Sequence, residues 1–485
     1  MTSPTPATPA LRDVLVALMS AIFLGALDQT IVAVSLPAIS GQFADVTLLA
    51  WVVAGYMVAM TVATPLYGKL GDLYGRRPML LIGMGLFTAA SLLCGLAQSM
   101  EQLVLARILQ GMGAGGMISV SQAIIGDVVP PRERGRYQGY FSSMYAAASV
   151  AGPMLGGLLT EHLSWRWVFW LNLPLGAAAW WYIRRTLAGL RSPQRQARID
   201  YPGIVLLVVG LSGVLLAVTE VGQGRAWNSG SVLGLFALGV LALLLFVLQE
   251  RRFVEPILPL RLFAAPTAVL CWCTVFMTSF QSISLSVIAP LRYQSITGAG
   301  ADSAALFLMP LAMGLPIGAF LGGRHTARSG RFRPVILTGA LLVPVGVLGM
   351  AFTPVSNLFM SALFMVLTGV GCGLQFPTSL VGAQNAAQPQ DIGVSTSTTN
   401  LFRSLGGATG VAVMSALLLA LLGADAGLGE GVQHNALLHS LGPRAPADSQ
   451  LSGRFRELLC ISAGLSLLGL AAALKMPDVL LRGRG

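Results

Sequence analysis

The sequence predicts an all-α integral membrane protein with fourteen transmembrane helices, because the chain is too apolar to dissolve and contains fourteen separate apolar runs. Of its 485 residues, 55 % are apolar and only 10 % are charged, whereas an ordinary soluble protein carries about 25 % charged residues. The mean hydropathy is +0.74. A chain with so little charge could not cover itself with a wettable surface, and no long stretch is polar enough to form a soluble domain.

Each of the fourteen runs is long enough to cross a bilayer. A transmembrane helix needs about 20 predominantly apolar residues, and charged or Gly/Pro-rich breaks separate the runs. We expect spans at residues 14–37, 48–67, 79–98, 102–125, 138–160, 166–183, 202–219, 231–249, 267–290, 303–323, 334–353, 357–380, 400–422 and 457–474. A polar stretch, Ser395–Asn400, obscures where the thirteenth span begins.

Basic residues determine the predicted orientation. With the N-terminus inside, 23 of the 30 Lys and Arg residues fall in cytoplasmic segments, Arg403 among them, six fall outside, and Arg107 alone is embedded. The positive-inside rule therefore places both termini in the cytoplasm. The same rule explains the net charge of +11 without a nucleic-acid partner.

Cysteine and histidine usage indicates neither a disulfide framework nor a metal site. The five cysteines all fall in apolar segments, and none of their spacings resembles a metal site. His434 and His439, in the predicted outer loop, are poorly spaced for a shared metal. The sequence thus predicts no metal and no cofactor.

Asp28 is the only one of the 19 acidic residues that lies deep within an apolar run. A charge in lipid is costly, so an intramembrane carboxylate indicates a functional site by default. Low-dielectric surroundings favour the protonated form of a carboxylic acid, which a proton carrier requires. We weigh proton or cation coupling at Asp28 against a structural hydrogen bond or ion pair inside the helix bundle.

Arg107 is the natural partner to test for Asp28. At ~1.5 Å per residue, their predicted depths differ by roughly 12 Å, so the sequence does not establish a contact. Arg107, Gln110, Gly111 and Ala114 share one helix face, which suits close packing beside a cavity. The alternative is that Arg107 extends to the outer interface.

The loop after the second span, residues 68–78, combines turn-forming glycines with charged side chains. These residues are Gly68, Gly71, Asp72, Gly75, Arg76 and Arg77. A tight turn between helices favours glycine, and Asp72 can pair with Arg76 to hold neighbouring helix ends together. A weaker echo follows the tenth span at an offset of 255 residues, where Gly330 corresponds to Gly75. Such an echo is typical of a duplicated transporter.

The fifth span contains Gly152, Pro153, Gly156 and Gly157. Proline frees a backbone carbonyl from the helix ladder, and glycines allow a neighbouring helix to approach closely. The pattern predicts a bendable helix that packs tightly against another.

Together these segments resemble the fourteen-span drug:proton antiporters (EmrB/QacA type) of the major facilitator superfamily. Residues 27–37 resemble the family's first-helix motif, 68–78 motif A, 107–111 motif B, 152–157 the antiporter motif C and 165–176 the sixth-helix signature. Ala148 stands where motif C usually opens with glycine. The resemblance runs essentially end to end; after the eighth span it depends on features such as Gln384-Asn385 and Arg403 with Gly406 and Gly407.

The resemblance implies a major facilitator fold with two six-helix bundles and two inserted helices. The implied organisation is a cytoplasmic tail at 1–13, a bundle at 14–184, a linker at 185–200, the inserted helices at 201–250, a linker at 251–266, a second bundle at 267–474 with an outer loop at 423–456, and a tail at 475–485. It further implies alternating access, with Asp28 and Arg107 in proton coupling or substrate binding and Asp72 with Arg76 as a cytoplasmic latch.

The predicted function is proton-coupled export of amphipathic, cationic small molecules across a bacterial plasma (inner) membrane. Side chains expected to face a substrate cavity are Tyr56, Gln110, Tyr145, Gln281, Met309 and Phe376, with ordinary packing as the alternative for each. A narrow-specificity exporter of a metabolite, antibiotic or siderophore would use the same motifs. A membrane enzyme or receptor is disfavoured, because the sequence offers no paired carboxylates, phosphate loop or sensor domain. Expected partners are the substrate, protons and lipid; a periplasmic adaptor stays open.

Overall fold

The computed structural model describes residues 11–43, 48–189, 199–222, 225–253, 255–426 and 449–481, and these residues are almost entirely α-helical. The helices are α1 (Leu11–Phe43), α2 (Leu49–Tyr74), α3 (Arg76–Leu96), α4 (Met100–Val128), α5 (Pro131–His162), α6 (Arg166–Trp170), α7 (Asn172–Thr186), α8 (Tyr201–Gly222), α9 (Gly230–Glu250), α10 (Pro266–Thr297), α11 (Ala301–Ser329), α12 (Arg333–Phe352), α13 (Leu358–Ala386), α14 (Ile392–Ala426) and α15 (Ser449–Leu474). Most of the predicted outer loop, with His434 and His439, lies outside the described residues, as do parts of both tails and of the first linker.

Local sequence signals set several helix ends. Ser99 and Asn357 cap α4 and α13 by accepting a backbone N–H from the first turn. Gly75 separates α2 from α3 with a φ of 101°, and Gly330 ends α11 with a φ of 67°. Both values are in a region that glycine adopts without strain. The two glycines that the sequence echo aligns both have positive φ, but their ψ values of 148° and 8° differ, so the two turns have different shapes.

All fourteen predicted segments are helical. Twelve of the described helices are long and apolar enough to cross a membrane, which confirms a multi-pass membrane protein but leaves the count of fourteen spans a prediction. The two segments outside the twelve are α5 and the predicted sixth span, which is divided into α6 and α7. Pro174 lies just after the division, and it has no N–H to donate to the carbonyl of Trp170.

The buried apolar side chains form two main cores. One includes Phe87 and Phe141 and joins α1, α2, α3, α4, α5 and α7. The other includes Trp272 and Phe332 and joins α10, α12, α13, α14 and α15. We call α1–α7 the N-terminal bundle and α10–α15 the C-terminal bundle.

Helices α8 and α9 pack against each other and against both bundles. A Cβ built on Gly213 of α8 would lie 2.9 Å from the Cα of Gly239 on α9, so small residues allow the two backbones to meet. Leu211 of α8 shares a buried cluster with Val62 of α2 and Leu401 of α14. The pair therefore lies along the seam between the bundles.

The bundles are packed tightly at the end that carries most of the arginine-rich loops, which we call the basic end. A Cβ built on Gly135 of α5 would lie 3.0 Å from the Cα of Gly323 on α11. A Cβ on Gly68 of α2 would lie 2.8 Å from the carbonyl oxygen of Gly393 at the start of α14. Only glycines permit such approaches, so the bundles are closed against each other at this end.

Candidate functional site

Asp28 lies in the middle of α1 and is completely buried. Arg107 of α4 donates from Nη1 to Asp28 Oδ2 at 2.6 Å. Gln110, one turn further along α4, and Asn172 of α7 each donate an amide N–H to Asp28 Oδ1 at 2.8 Å. Three donors from two helices therefore converge on one carboxylate.

Arg107 is itself 1 % exposed. Its Nε donates to the backbone carbonyl of Val52 at 3.2 Å, and its Nη1 also donates to Gln110 Oε1 at 2.6 Å. The guanidinium lies 4.1 Å from the centre of the Tyr56 ring, a distance typical of a cation–π contact. The alternative in which Arg107 extends to the outer interface is therefore wrong.

The expected depth difference of roughly 12 Å between Asp28 and Arg107 is also wrong. Within the predicted spans 14–37 and 102–125, Asp28 is nine residues from the outer end and Arg107 is five, so at ~1.5 Å per residue their depths differ by about 6 Å. The arginine side chain covers that distance and donates to the carboxylate at 2.6 Å. Two opposite charges thus form a buried pair with additional neutral donors. Such a pair depends on both partners, because removal of either leaves an uncompensated charge in a low-dielectric interior.

The predicted loop 68–78 is almost entirely helical: α2 continues to Tyr74, Gly75 alone makes the turn, and α3 begins at Arg76. The charged side chains of this segment join helices of both bundles at the basic end. Asp72 forms an ion pair with Arg76, and Arg76 Nε donates to Asp127 Oδ2 of α4 at 2.8 Å. The Asp72 carboxylate also accepts the backbone N–H groups of Gly393 and Val394, at 3.2 and 2.9 Å. These amides belong to the first turn of α14, where a negative charge is stabilising.

Two further residues of the segment 68–78 make contacts at the same end. Arg77 donates from Nη2 to the carbonyl of Arg184 at 3.0 Å and so joins α3 to α7. The guanidinium of Arg76 lies beside Gly71, where a Cβ would be 3.1 Å from Nη1. Asp72 and Arg76 thus belong to one charge cluster beside Gly71, whereas Arg77 contacts the carbonyl of Arg184 instead.

Gly152 and Gly156 of α5 face α1, and Gly157 does not. A Cβ on Gly156 would lie 2.7 Å from the carbonyl oxygen of Ile31, whereas nothing lies within 4 Å of a Cβ on Gly157. Thr30 donates to the carbonyl of Ala148 at 2.9 Å, which adds a hydrogen bond to the same contact. The glycine-rich segment thus sets how closely α1 and α5 approach.

Separate substitutions of Gly156 and Gly157 should distinguish the effect of close packing on stability from the effect of helix propensity. Gly156→Ala is expected to destabilise the protein by about 1–3 kcal/mol, because the new methyl group meets backbone. Gly157→Ala is the matched control and should leave stability unchanged or raise it by up to about 1 kcal/mol, since alanine favours the helix. Thermal unfolding of the purified variants in one detergent measures both. Equal melting temperatures would contradict the close α1–α5 contact.

A cavity of about 50 Å³ lies between the bundles. It is lined by Gln122, Gln138, Phe141, Ser142, Tyr145, Val275, Phe376, Pro377, Leu380, Thr399, Asn400 and Arg403. Asn400 of α14 donates to Gln122 of α4 at 2.7 Å and connects the bundles across its wall. Pockets for drug-sized ligands measure roughly 300–1,000 Å³, so the bundles must separate further before a substrate of that size can enter.

Of the six side chains expected at a cavity, Tyr145 and Phe376 line this one. Tyr56 and Gln110 instead belong to the Asp28 network. Gln281 is directed toward α15, where its Oε1 accepts a hydrogen bond from Ser462 at 2.7 Å. Met309 is 40 % exposed on α11. These four side chains do not line this cavity, because the rotation of each helix about its axis decides which face meets the other bundle.

Arg403 is the lining residue that the sequence analysis assigned to a cytoplasmic segment. Helix α14 begins at Ile392, so Arg403 lies about three turns inside the helix rather than before it. The expectation that Arg107 is the only embedded basic residue is therefore wrong. Arg403 lies inside the predicted span 400–422, and this position could have identified it as an embedded residue. The polar stretch before Arg403 concealed where the helix begins.

One family profile and two bacterial relatives match most of this chain. The profile of the Major Facilitator Superfamily matches residues 18–411. The multidrug transporter protein MdtP of Bacillus subtilis (strain 168) is 34 % identical over 402 residues, which cover 83 % of this chain and 74 % of that protein. Multidrug resistance protein 3 of the same organism is 33 % identical over 414 residues, which cover 85 % of this chain and 80 % of that protein.

A solved structure shows the same arrangement of helices. The human organic anion transporter MFSD10 (TETRAN) has a TM-score of 0.65 to this chain and covers 97 % of it, with 100 % of its own chain matched. The two sequences are 15 % identical, so the similarity concerns the fold alone.

Proposed function

Because the chain belongs to the major facilitator superfamily, we propose that it is a proton-coupled efflux transporter that exports amphipathic small molecules by alternating access. Membership of this family makes it a multi-pass membrane transporter and not an enzyme. Two relatives at 33–34 % identity are named as multidrug transport or resistance proteins, which supports export of drug-like compounds. The observation that carries the proposal of proton coupling is the buried Asp28–Arg107 pair.

We place the basic end in the cytoplasm of a bacterial cell, with fourteen spans and both termini inside. The positive-inside rule supports this orientation. Helix α5 packs along α1 through Gly156, and α7 contributes Ile183 to the core of the N-terminal bundle. Those contacts support α5 and the α6–α7 pair as membrane-spanning members of the bundle, as in the fourteen-span antiporters.

The Asp28–Arg107 pair suits proton coupling because its net charge depends on one proton. When Asp28 is ionised, the pair is neutral and the guanidinium is compensated at 2.6 Å. When Asp28 takes up a proton, a buried positive charge is left without its counter-charge, which costs several kcal/mol. A shift of α1 relative to α4 that admits water would relieve that cost. Protonation therefore favours a different helix arrangement, as alternating access requires.

This geometry removes the reason for expecting cationic substrates. It depended on a free carboxylate at Asp28, but that carboxylate accepts three hydrogen bonds and is completely buried. Asp28 does not line the cavity, and none of the described lining residues is acidic.

A transport assay tests the proposal as a whole. Inverted membrane vesicles that contain the chain should accumulate an amphipathic dye when their lumen is acidified, and a protonophore should collapse the accumulation. If the vesicles transport none of a panel of dyes but release protons when one metabolite is added, the chain is a narrow-specificity exporter and the multidrug proposal is wrong. If the chain moves neither dye nor proton, proton-coupled export is wrong.

We further propose that Asp72 stabilises the state in which the basic end is closed. Asp72→Asn is expected to lower the rate of dye export at least tenfold, because it removes the ion pair with Arg76 and the negative charge at the start of α14. Asp478→Asn is the matched control at the same end, where Asp478 pairs with Arg331 at 3.3 Å. Export rates at equal protein levels are the measurement. Equal losses in the two variants would contradict a specific role for Asp72.

A further inference from the structure

The cavity between the bundles has one charged side chain among its described lining residues, and that charge is positive. The residue is Arg403 of α14, and its neighbours in the lining are neutral amides, hydroxyls and apolar rings. A cation that entered this cavity would meet like charge and no carboxylate. An anion would meet a guanidinium.

Within the described part of the chain, Arg403 has no carboxylate partner. The guanidinium instead contacts Tyr145, whose hydroxyl oxygen accepts from Nη2 at 3.5 Å and whose ring centre lies 5.5 Å from the guanidinium carbon. An arginine carries five N–H donors, so most of the donors of Arg403 are not used by these contacts. By contrast, the buried Arg107 and Arg76 each pair with an aspartate.

We propose that Arg403 binds the anionic group of an amphipathic weak acid, and that such acids are a substrate class of this exporter. The inference rests on the proposed function and names the substrate chemistry of its cavity. A guanidinium matches the planar geometry of a carboxylate or sulfonate with two parallel hydrogen bonds. Phe141 and Phe376 line the same cavity and offer apolar contact for the substrate's rings.

The position of Arg403 also connects binding to movement of the bundles. Arg403 belongs to the C-terminal bundle and Tyr145 to the N-terminal bundle, so their contact crosses the seam. A substrate anion that takes the place of the Tyr145 hydroxyl would remove this contact while the cavity widens to admit the substrate. Substrate binding therefore favours separation of the bundles around the cavity, because Arg403 then contacts the substrate instead of Tyr145.

Two dyes that share a xanthene ring system provide the test. 5-Carboxyfluorescein is an anion at pH 7.5, and rhodamine 6G is a permanent cation. Uptake of each dye is measured in inverted vesicles with an acidified lumen, for the native chain, Arg403→Gln and Arg403→Lys. Binding of 5-carboxyfluorescein to the purified proteins is measured separately by fluorescence anisotropy. Arg252→Gln, at an exposed arginine outside the cavity, is the matched control.

The native chain is expected to bind and export 5-carboxyfluorescein. Arg403→Gln should weaken its binding about tenfold or more, because a charge-assisted hydrogen-bond partner is lost. Uptake of rhodamine 6G should stay at the native level or rise. Arg403→Lys should retain part of the anion binding, and Arg252→Gln all of it.

Three results would overturn the inference, and each has a different meaning. If the native chain exports rhodamine 6G but neither binds nor exports 5-carboxyfluorescein, the substrate class is wrong while the proposed function stands. If Arg403→Gln lowers uptake of both dyes equally and leaves binding unchanged, Arg403 has a structural role. If Arg403→Gln binds 5-carboxyfluorescein as well as the native protein does and also keeps native uptake of both dyes, the anion site lies elsewhere. Arg403-dependent binding without uptake of either dye would support the anion site and contradict the proposed export function.

Discussion

Asp28→Asn is expected to reduce dye-coupled proton flux at least a hundredfold. Asparagine has nearly the shape of protonated aspartic acid, but it cannot release or take up a proton. Its single carbonyl oxygen can accept only part of the hydrogen bonds that Arg107, Gln110 and Asn172 donate to Asp28. The variant therefore imitates one protonation state of the Asp28–Arg107 pair and should keep the protein in the helix arrangement that this state favours. Dye uptake and lumenal pH recorded together in inverted vesicles measure the effect.

The control for this substitution is Asp478→Asn, which makes the same chemical change at a partly exposed ion pair. It should retain native dye uptake and native proton flux. If Asp28→Asn vesicles still release protons when dye is added, another group carries the proton and Asp28 serves recognition or structure. Binding of dye without proton movement in Asp28→Asn would agree with the proposed role.

Arg107→Gln is expected to produce the largest loss of stability, about 3–5 kcal/mol. The substitution leaves the Asp28 carboxylate without its counter-charge at a site that is completely buried. It also removes the contacts with the Val52 carbonyl and the Tyr56 ring. The free energy of unfolding of the purified protein, followed in denaturant or by thermal melting, is the measurement, with Arg252→Gln as the matched surface control.

The double variant Asp28→Asn/Arg107→Gln separates charge pairing from simple packing. If the buried pair is the cause, the double variant should be more stable than Arg107→Gln alone, since no unpaired charge is left. Additive losses from the two single changes would show that Asp28 and Arg107 do not act as a pair. The coupling energy from this cycle is expected to be about 1–3 kcal/mol.

The helices could be predicted from the sequence because their causes are local. Apolar runs of about 20 residues between basic loops specify where helices form, and all fourteen predicted segments are helical. Asp28 stood out for the same reason, because a charge inside an apolar run needs no knowledge of its neighbours to be recognised as unusual. Gly75 and Gly330 were likewise recognised as turn positions, and both adopt positive φ values.

Contacts between distant segments could not be predicted from the sequence in the same way. Asn172 is 144 residues from Asp28, and Val394 is 322 residues from Asp72, yet each makes a direct hydrogen bond to that carboxylate. Gln281 was expected at the cavity, but it contacts Ser462 across 181 residues. The fourteen-span subtype stays a proposal, since only twelve described helices satisfy the criteria of length and composition.

The sequence by itself determined that this chain is a bundle of membrane helices with one deep carboxylate and a glycine-rich charged segment where two helices meet. Hydrophobicity and charge along the chain decide those features, since each helix satisfies its own backbone hydrogen bonds in lipid. Only the tertiary structure decided that Asp28 is paired and that the cavity presents Arg403 instead. Those outcomes depend on which helices pack together and how each is rotated about its axis, and such packing is set by side-chain fit between segments far apart in the chain.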